Sequence, residues 1–271
     1  MKPELTPRFT PAASVKPTPG GGLSPLTTDG WQLTIPDGPA GRYRLAQLDD
    51  YAALPRRSFR WRPPLTFSLR ARASAPSLPG TWGFGLWNDP FGLSLGFGET
   101  AGRLPILPNT AWFFHASPPN YLSLRDDLPT QGFLATAFRS PRWPSFLLAP
   151  GLLALPLLLL QHTRRWLRRM LGRFIQQDAT ALSLDVTQWH QYRLNWEEKQ
   201  VIFYVDEARV LATAISPHAP LALVLWIDNQ YATFTPQGRL GYGTLANPLP
   251  GWLELENILV NQKHGIQNNI I

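Results

Sequence analysis

The strongest constraint on the fold of this chain is a succession of short β-patterned runs, each closed by turn chemistry. WQLTI (31–35) is followed by PDGPAG and then RYRLAQL (42–48). LTFSLRARA (65–73), TWGFGLWN (81–88), TAWFFHAS (110–117) and GFLATAFRS (132–140) come next. After an intervening segment come WHQYRLNW (189–196), QVIFYVDE (200–207), RVLATAI (209–215), LALVLWID (221–228) and WLELENILV (252–260). Runs of this length, rich in β-branched and aromatic residues and bounded by Gly, Pro, Asn and Asp, are strand signals. No helical pattern alternates with them, so a parallel βαβ sheet is excluded and an antiparallel sandwich is expected. In the last run Leu253, Leu255 and Ile258-Leu259 are expected inward, with Glu254 and Glu256 on the opposite face. The 28 prolines and 21 glycines suit many turns. The 11 Trp, 14 Phe and 7 Tyr supply a core that 271 residues are long enough to bury.

Residues 29–262 are expected to form a single sandwich domain. Residues 1–28 read as a Pro/Gly-rich N-terminal tail and 263–271 as a polar C-terminal tail. The N-terminal stretch lacks the apolar region of a secretory signal, so a cytoplasmic location is expected. With no cysteine, disulfides, thiol chemistry and zinc–thiolate sites are excluded. His115, His162, His190, His218 and His264 show no metal-ligand spacing, and no acidic loop offers enough oxygens for calcium. Neither a P-loop, a GxGxxG nor a serine elbow is present, so no metal and no cofactor are expected.

The sandwich is interrupted at 141–179 by an insertion of unusual composition. FLLAPGLLALPLLLL (146–160) is apolar throughout, and QHTRRWLRRMLGRFI (161–175) carries Arg164, Arg165, Arg168, Arg169 and Arg173. The apolar run would reach roughly 22 Å as a helix, short of the about 30 Å of a hydrocarbon core. Pro150-Gly151 and Pro156 would also break it, so no bilayer span is expected. Trp166, Leu167, Met170, Leu171, Phe174 and Ile175 fall at helical spacing on one stripe, with the arginines flanking it or opposite. That is the composition of an interfacial helix on an anionic membrane surface. Packing of the apolar run on the sandwich, with solvated arginines, fits equally well. Much of the net charge of +7 sits here, and no nucleic-acid reading motif accompanies it, which argues against a nucleic-acid partner.

The C-terminal third carries a family resemblance. WHQYRLNWEEKQVIFYVDEARVLAT (189–213), PLALVLWIDNQYA (220–232) and the closing WLELENILVNQ (252–262) resemble the concanavalin A-like lectin/glucanase superfamily. Within it they are similar to laminarinase-type (family 16) glycoside hydrolases and laminin-G-like sandwiches. PGTWGFGLWN (79–88) is similar to the Trp-rich strand that precedes that family's catalytic strand. The resemblance implies an all-β, concanavalin A-like antiparallel jelly-roll sandwich with a concave ligand face. Members that cleave glycans carry Glu-x-Asp-x-x-Glu on the strand after the Trp-rich one, where one-sided carboxylates act as nucleophile and general acid. Here 87–108 holds only Asp89 and Glu99, with no carboxylate pair at two-residue spacing.

The candidate site residues follow from strand parity and from that resemblance. Trp87 and Asp89 share a face with Gly83 and Gly85, where a ligand or backbone would approach closely; Asp89-Pro90 also reads as a simple turn. Val224, Trp226 and Asp228 share a face that the resemblance makes concave, so Trp226 would stack a ring and Asp228 would protonate it. Asn229 extends that rim. His115, in an aromatic run, and Tyr121 are candidate ligand contacts. Asp126, beside Asp127 and Arg125, is a third candidate proton donor or a solvated ion pair. Trp166, Phe174 and Arg164, Arg165, Arg168 and Arg169 are the candidate lid or membrane contacts. The leading expectation is a membrane-peripheral protein that binds a hydrophobic or amphiphilic small molecule and, if catalytic, transforms it by Asp-based acid–base chemistry as a hydrolase, isomerase or cyclase. The alternative is a carbohydrate binder or divergent glycoside hydrolase with relocated carboxylates. A third reading is an interaction module docking through the insertion.

Overall fold

The computed structural model describes residues 20–27, 30–90, 105–143 and 160–262. Glu99, His264 and most of the apolar run 146–160 lie outside them. Two antiparallel sheets face each other. The back sheet has the order β1 (Gly22–Thr27), β2 (Gly30–Ile35), β15 (Gly251–Gln262), β4 (Leu65–Ala73), β9 (His190–Trp196), β10 (Val201–Val205) and β11 (Ala208–Thr213). The front sheet has the order β3 (Leu45–Asp49), β12 (Ala222–Asp228), β5 (Thr81–Trp87), β6 (Thr110–Ala116), β7 (Gly132–Arg139) and β8 (Gln176–Ala181). A separate hairpin, β13 (Gln230–Phe234) with β14 (Leu240–Thr244), continues from β12.

The two sheets differ in how their strands are patterned. β4 alternates strictly: Leu65, Phe67, Leu69, Ala71 and Ala73 are buried, while Thr66, Ser68, Arg70 and Arg72 point outward. Such alternation marks a sheet with one wet face. β12 and β6 are buried at every position, and β5 and β7 nearly so. A continuously apolar strand such as LALVLWI belongs to a sheet covered on both faces. Between the sheets, Phe84, Phe113, Phe203, Tyr192, Leu194 and Leu225 form one core. Each fully buried side chain of that kind contributes about 1.5–3 kcal/mol.

The structure adds strands where the sequence reads otherwise. β1 occupies Gly22–Thr27, inside the stretch read as tail, pairing with β2 at the sheet edge. β8, QQDATA, begins within 141–179 and pairs with β7; among the described residues of the insertion the helix is α1 (Gln161–Phe174). In β15 a bulge between Glu256 and Leu259 shifts the alternation, with Asn257 at φ 52°. Leu259 therefore pairs with outward Ser68, and Ile258 and Val260 take the inward positions.

Candidate ligand-binding face

Strand register assigns the outer face of the front sheet residue by residue. One rung runs Ala222, Trp87, Thr110, Phe138, Gln177. The next runs Asp49, Val224, Gly85, Trp112, Thr136, Ala179, and the third Gln47, Trp226, Gly83, Phe114, Leu134, Ala181. The fourth is Leu45, Asp228, Thr81, Ala116, Gly132. Trp87, Trp112, Phe114 and Trp226 make a continuous aromatic track, with ring centroids 6.0 Å (Trp87–Trp112), 5.4 Å (Trp112–Phe114), 5.2 Å (Trp112–Trp226) and 5.9 Å (Phe114–Trp226) apart. Glycine makes this track possible. A Cβ on Gly83 would sit 2.9 Å from the Trp226 ring and closer still to the Phe113 carbonyl oxygen, so the indole lies across β5 only because no side chain stands there. Tyr51, Phe59, Leu54 and Leu122 pack against the track from the flanking loops, with Tyr51 edge-on to Trp87 at 5.7 Å.

The track carries polar atoms that the fold leaves without partners. Trp87 Nε1, Thr110 Oγ1, Trp112 Nε1 and Thr136 Oγ1 are all buried and make no hydrogen bond. They occupy two adjacent rungs of three adjacent strands, a patch about 10 Å by 7 Å from ordinary strand spacings. Thr110 and Thr136 are 1% and 3% exposed. An unsatisfied buried polar group costs about 1–3 kcal/mol; Trp82 Nε1 and His115 Nδ1 on the inter-sheet side are also unpartnered, but the outer face gathers four such atoms on adjacent rungs.

At the far end of the face, Asp228 anchors a different network. Its Oδ1 accepts from Thr81 Oγ1 (2.8 Å), Thr81 N–H (3.2 Å) and Gln230 N–H (3.1 Å), and Thr81 Oγ1 accepts from Trp226 Nε1 (3.0 Å). Burial pushes the Asp228 carboxyl up to about 7, against the pull of those hydrogen bonds. Burial also raises the phenols of Tyr43 and Tyr242, and the Asp228 charge adds to both.

No family model matches the chain, and no curated protein matches it. Solved structures match most of its length. A kappa-carrageenase from Zobellia galactanivorans is 13% identical with a TM-score of 0.51, over 87% of this chain and 79% of that one. A legume lectin-like domain from Entamoeba histolytica is 10% identical with a TM-score of 0.44, over 90% of this chain and 88% of that one. The fold is a concanavalin A-like antiparallel jelly-roll sandwich. Among the described residues of this sandwich the strand after the Trp-rich β5 is β6, and its outer positions are Thr110, Trp112, Phe114 and Ala116, none of them acidic.

The expected site residues are only partly brought together. Trp87 and Trp226 both lie on the face, brought together by the register of β5 against β12. Asp228 is on the same face but at the opposite end from Asp89, which follows Trp87; Thr81 and Trp87 alone are roughly 20 Å apart along β5 at about 3.3 Å per residue. Asp89 is buried at φ 49°, and its carbonyl accepts from Arg56. Asp126 ion-pairs with Arg168 of α1 at 2.7 Å and is well exposed. The three carboxylates therefore do not share a cavity as alternative proton donors. His115 belongs to the inter-sheet side, stacked on Trp82 at 5.3 Å, and burial lowers its pKa to about 4. It is a core residue and not a ligand contact. Asn229 is fully buried as a structural tie: Oδ1 accepts from Arg44 N–H (2.9 Å), and Nδ2 donates to Arg42 O (2.9 Å) and Leu245 O (2.7 Å). Tyr121 bridges to Thr233 through its backbone and lies under the Arg168 guanidinium.

Helix α1 also departs from its sequence stripe. Arg168 points inward, donating to Phe234 O (2.9 Å) and Ser123 O (3.0 Å). Arg165 donates to Gln237 O at 2.9 Å, and Arg164 is half-buried. Trp166 and Phe174, read from the sequence as lid or membrane contacts, are 55% and 38% exposed, and Arg169 and Arg173 share that outward side with them. Thr110 and Thr136 were not legible as site residues. The available signal was that Thr110 has the parity of Trp112, within a strand whose neighbours are all apolar or aromatic.

Proposed function

We propose that this chain binds a glycan on the outer face of its front sheet without cleaving it. The observation that carries this reading is the unpartnered quartet of Trp87, Thr110, Trp112 and Thr136 within the aromatic track. A sugar ring offers an apolar face for stacking and hydroxyls that both donate and accept at its edge, which is what this patch lacks. A purely apolar ligand would leave all four polar atoms unsatisfied, so the patch favours a saccharide over a lipid-like molecule. The absence of acidic residues at the outer positions of β6 disfavours paired-carboxylate hydrolysis. The fold shared with a kappa-carrageenase supports a carbohydrate ligand.

The test is the double variant Thr110→Val/Thr136→Val, which keeps shape and removes both hydroxyls. Oligosaccharide titrations followed by tryptophan fluorescence are expected to show binding by the wild type and at least tenfold weaker binding by the variant. The variant itself is expected to be more stable by about 2–6 kcal/mol, since two unsatisfied groups at about 1–3 kcal/mol each are gone. Gained stability with unchanged glycan binding would overturn the proposal, as would silence of the wild type across a glycan array.

A second reading concerns location and rests on the outward face of α1. Trp166, Phe174, Leu160 and Trp143 are exposed there, Trp143 packs edge-on against Phe174 at 4.9 Å, and Arg165, Arg169 and Arg173 lie among them. Aromatic groups set among cations, with no acidic residue in the helix, suit an anionic membrane surface. Among the described residues no helix is long and apolar enough to cross a membrane. Co-sedimentation with phosphatidylserine vesicles is expected for the wild type and to be lost in Trp166→Ser/Arg169→Gln/Arg173→Gln; equal sedimentation of both would sink this reading.

A further inference from the structure

A cavity of about 500 Å³ opens at one end of the sandwich, away from the aromatic track's centre, with Arg62, Arg139, Arg142, His218, Glu198 and Ser216 in its lining. Three arginines and one carboxylate share the lining. Among the described residues none of the three arginines is ion-paired with an acidic side chain. The walls are held in place by hydrogen bonds that consume only part of each donor set. Arg142 donates to Ala219 O at 2.7 Å, and Arg139 Nε donates to His218 Nε2 at 3.4 Å. The loop beneath is tied down twice. His218 N–H donates to Asn109 Oδ1 at 2.9 Å. Ser216 Oγ accepts from Trp196 Nε1 at 3.1 Å and donates to Glu197 O at 2.6 Å.

The geometry points to an oxyanion pocket in which Arg62, Arg139 and Arg142, with His218, take a doubly charged sulfate or phosphate group. Guanidiniums present several N–H donors in a fixed fork that matches such oxygens, and each charge-assisted bond is stronger than a neutral one. With Glu198 in the same lining the three guanidiniums leave a net charge of two, which a dianion balances and a singly charged carboxylate does not. The pocket is independent of the glycan reading: Arg139 follows outward Phe138 and so has the opposite parity, and the rest of the lining comes from Arg142 beyond β7, the segment just before β4, the β9–β10 turn and the loop before β12.

His218 supplies a site-specific reporter. Burial, then Arg139 and Arg142, holds its pKa below the ordinary histidine value. The groups facing it are Arg62, Arg139, Arg142 and Glu198, and an anion among them offsets the arginine charge. Bound oxyanion therefore raises the His218 pKa, and affinity rises as pH falls.

The experiment titrates the full chain with sodium sulfate against sodium chloride at matched ionic strength, reading the His218 ring resonances and the thermal midpoint. Saturable stabilisation by sulfate, with the His218 titration moved to higher pH, is the expected result. Arg62→Gln/Arg142→Gln should weaken sulfate binding by at least roughly tenfold. Arg209→Gln/Arg239→Gln, with the same loss of charge elsewhere on the surface, should leave it unchanged. Equal effects of sulfate and chloride, or equal losses in both double variants, would overturn the pocket. A sulfated monosaccharide that outbinds inorganic sulfate assigns the group to a larger ligand, and the reverse order assigns a free ion.

Discussion

Replacing Asp228 by Asn should change how stability depends on pH, and its magnitude can be worked from the site. The carboxyl closes β12, is 7% exposed, and accepts three hydrogen bonds on one oxygen. Its pKa of about 7 in the folded chain compares with about 3.9 for an unfolded aspartate. The difference of about 3 units corresponds to about 4 kcal/mol, an upper bound for so buried a group. Because the folded pKa is raised, the native state binds more protons than the unfolded chain between pH 4 and 7. The group's contribution to stability is thus complete below pH 4 and is lost as pH rises through 7. The asparagine side chain would retain an oxygen for Thr81 and Gln230 and cannot ionise. Two other groups also bend the wild-type curve. Asp50, raised to about 6 chiefly by burial, acts with the same sign as Asp228. His115, lowered to about 4, stabilises above its unfolded pKa of about 6.5 and loses that contribution as pH falls towards 4. The difference between variant and wild type cancels both. Urea unfolding followed by tryptophan fluorescence at pH 5, 7 and 9 is expected to show Asp228→Asn gaining about 2–4 kcal/mol on the wild type across that range. A difference that stays constant within about 0.5 kcal/mol would mean that Asp228 does not titrate where its burial places it.

Two further perturbations follow from geometry. Arg168→Ala should cost about 2–4 kcal/mol in thermal or urea unfolding, since it strands the carbonyls of Ser123 and Phe234, whereas Asp126→Ala should cost about 1 kcal/mol or less because that carboxylate is mostly in water. Equal costs would place the interaction in the ion pair and not in the carbonyl contacts. Gly83→Ala should expel the Trp226 indole from its seat across β5, with a loss above about 2 kcal/mol and a shifted tryptophan emission; an unperturbed spectrum would show that the track does not depend on glycine there.

The strands that carry their burial in their own pattern were legible. LTFSLRARA alternates and forms β4 over the same residues, and LALVLWID is apolar because both its faces are covered. GLSPLT and QQDATA, which form β1 and β8, carry little β-type composition, because an edge strand is specified by its neighbour's free backbone groups and not by its own side chains. The shared face of Trp226 and Asp228 followed from parity within one strand, whereas the placing of Trp87 on that same face came from the register of β5 against β12. That Asp89 lies at the wrong end did not follow from parity either, because it depends on β12 running antiparallel to β5 from Ala222 opposite Trp87. Helix periodicity placed Trp166 with Leu167 and Leu171, but the acceptors that draw Arg168 inward come from residues 123 and 234, remote in sequence. His115 looked available beside three aromatics until register put it against Trp82.

The burial of the front sheet on both faces has a kinetic consequence. Donors with no solvent access cannot meet a ligand in diffusional encounter, so under the proposed function binding would require the side chains packed on the track to part first. Under the proposed function, the observed association rate would rise with oligosaccharide concentration and then level off at the opening rate. The same opening would set the exchange of the amide hydrogens at Thr110–Ala116 in the unliganded chain. Two clocks, one optical and one isotopic, would then report a single motion.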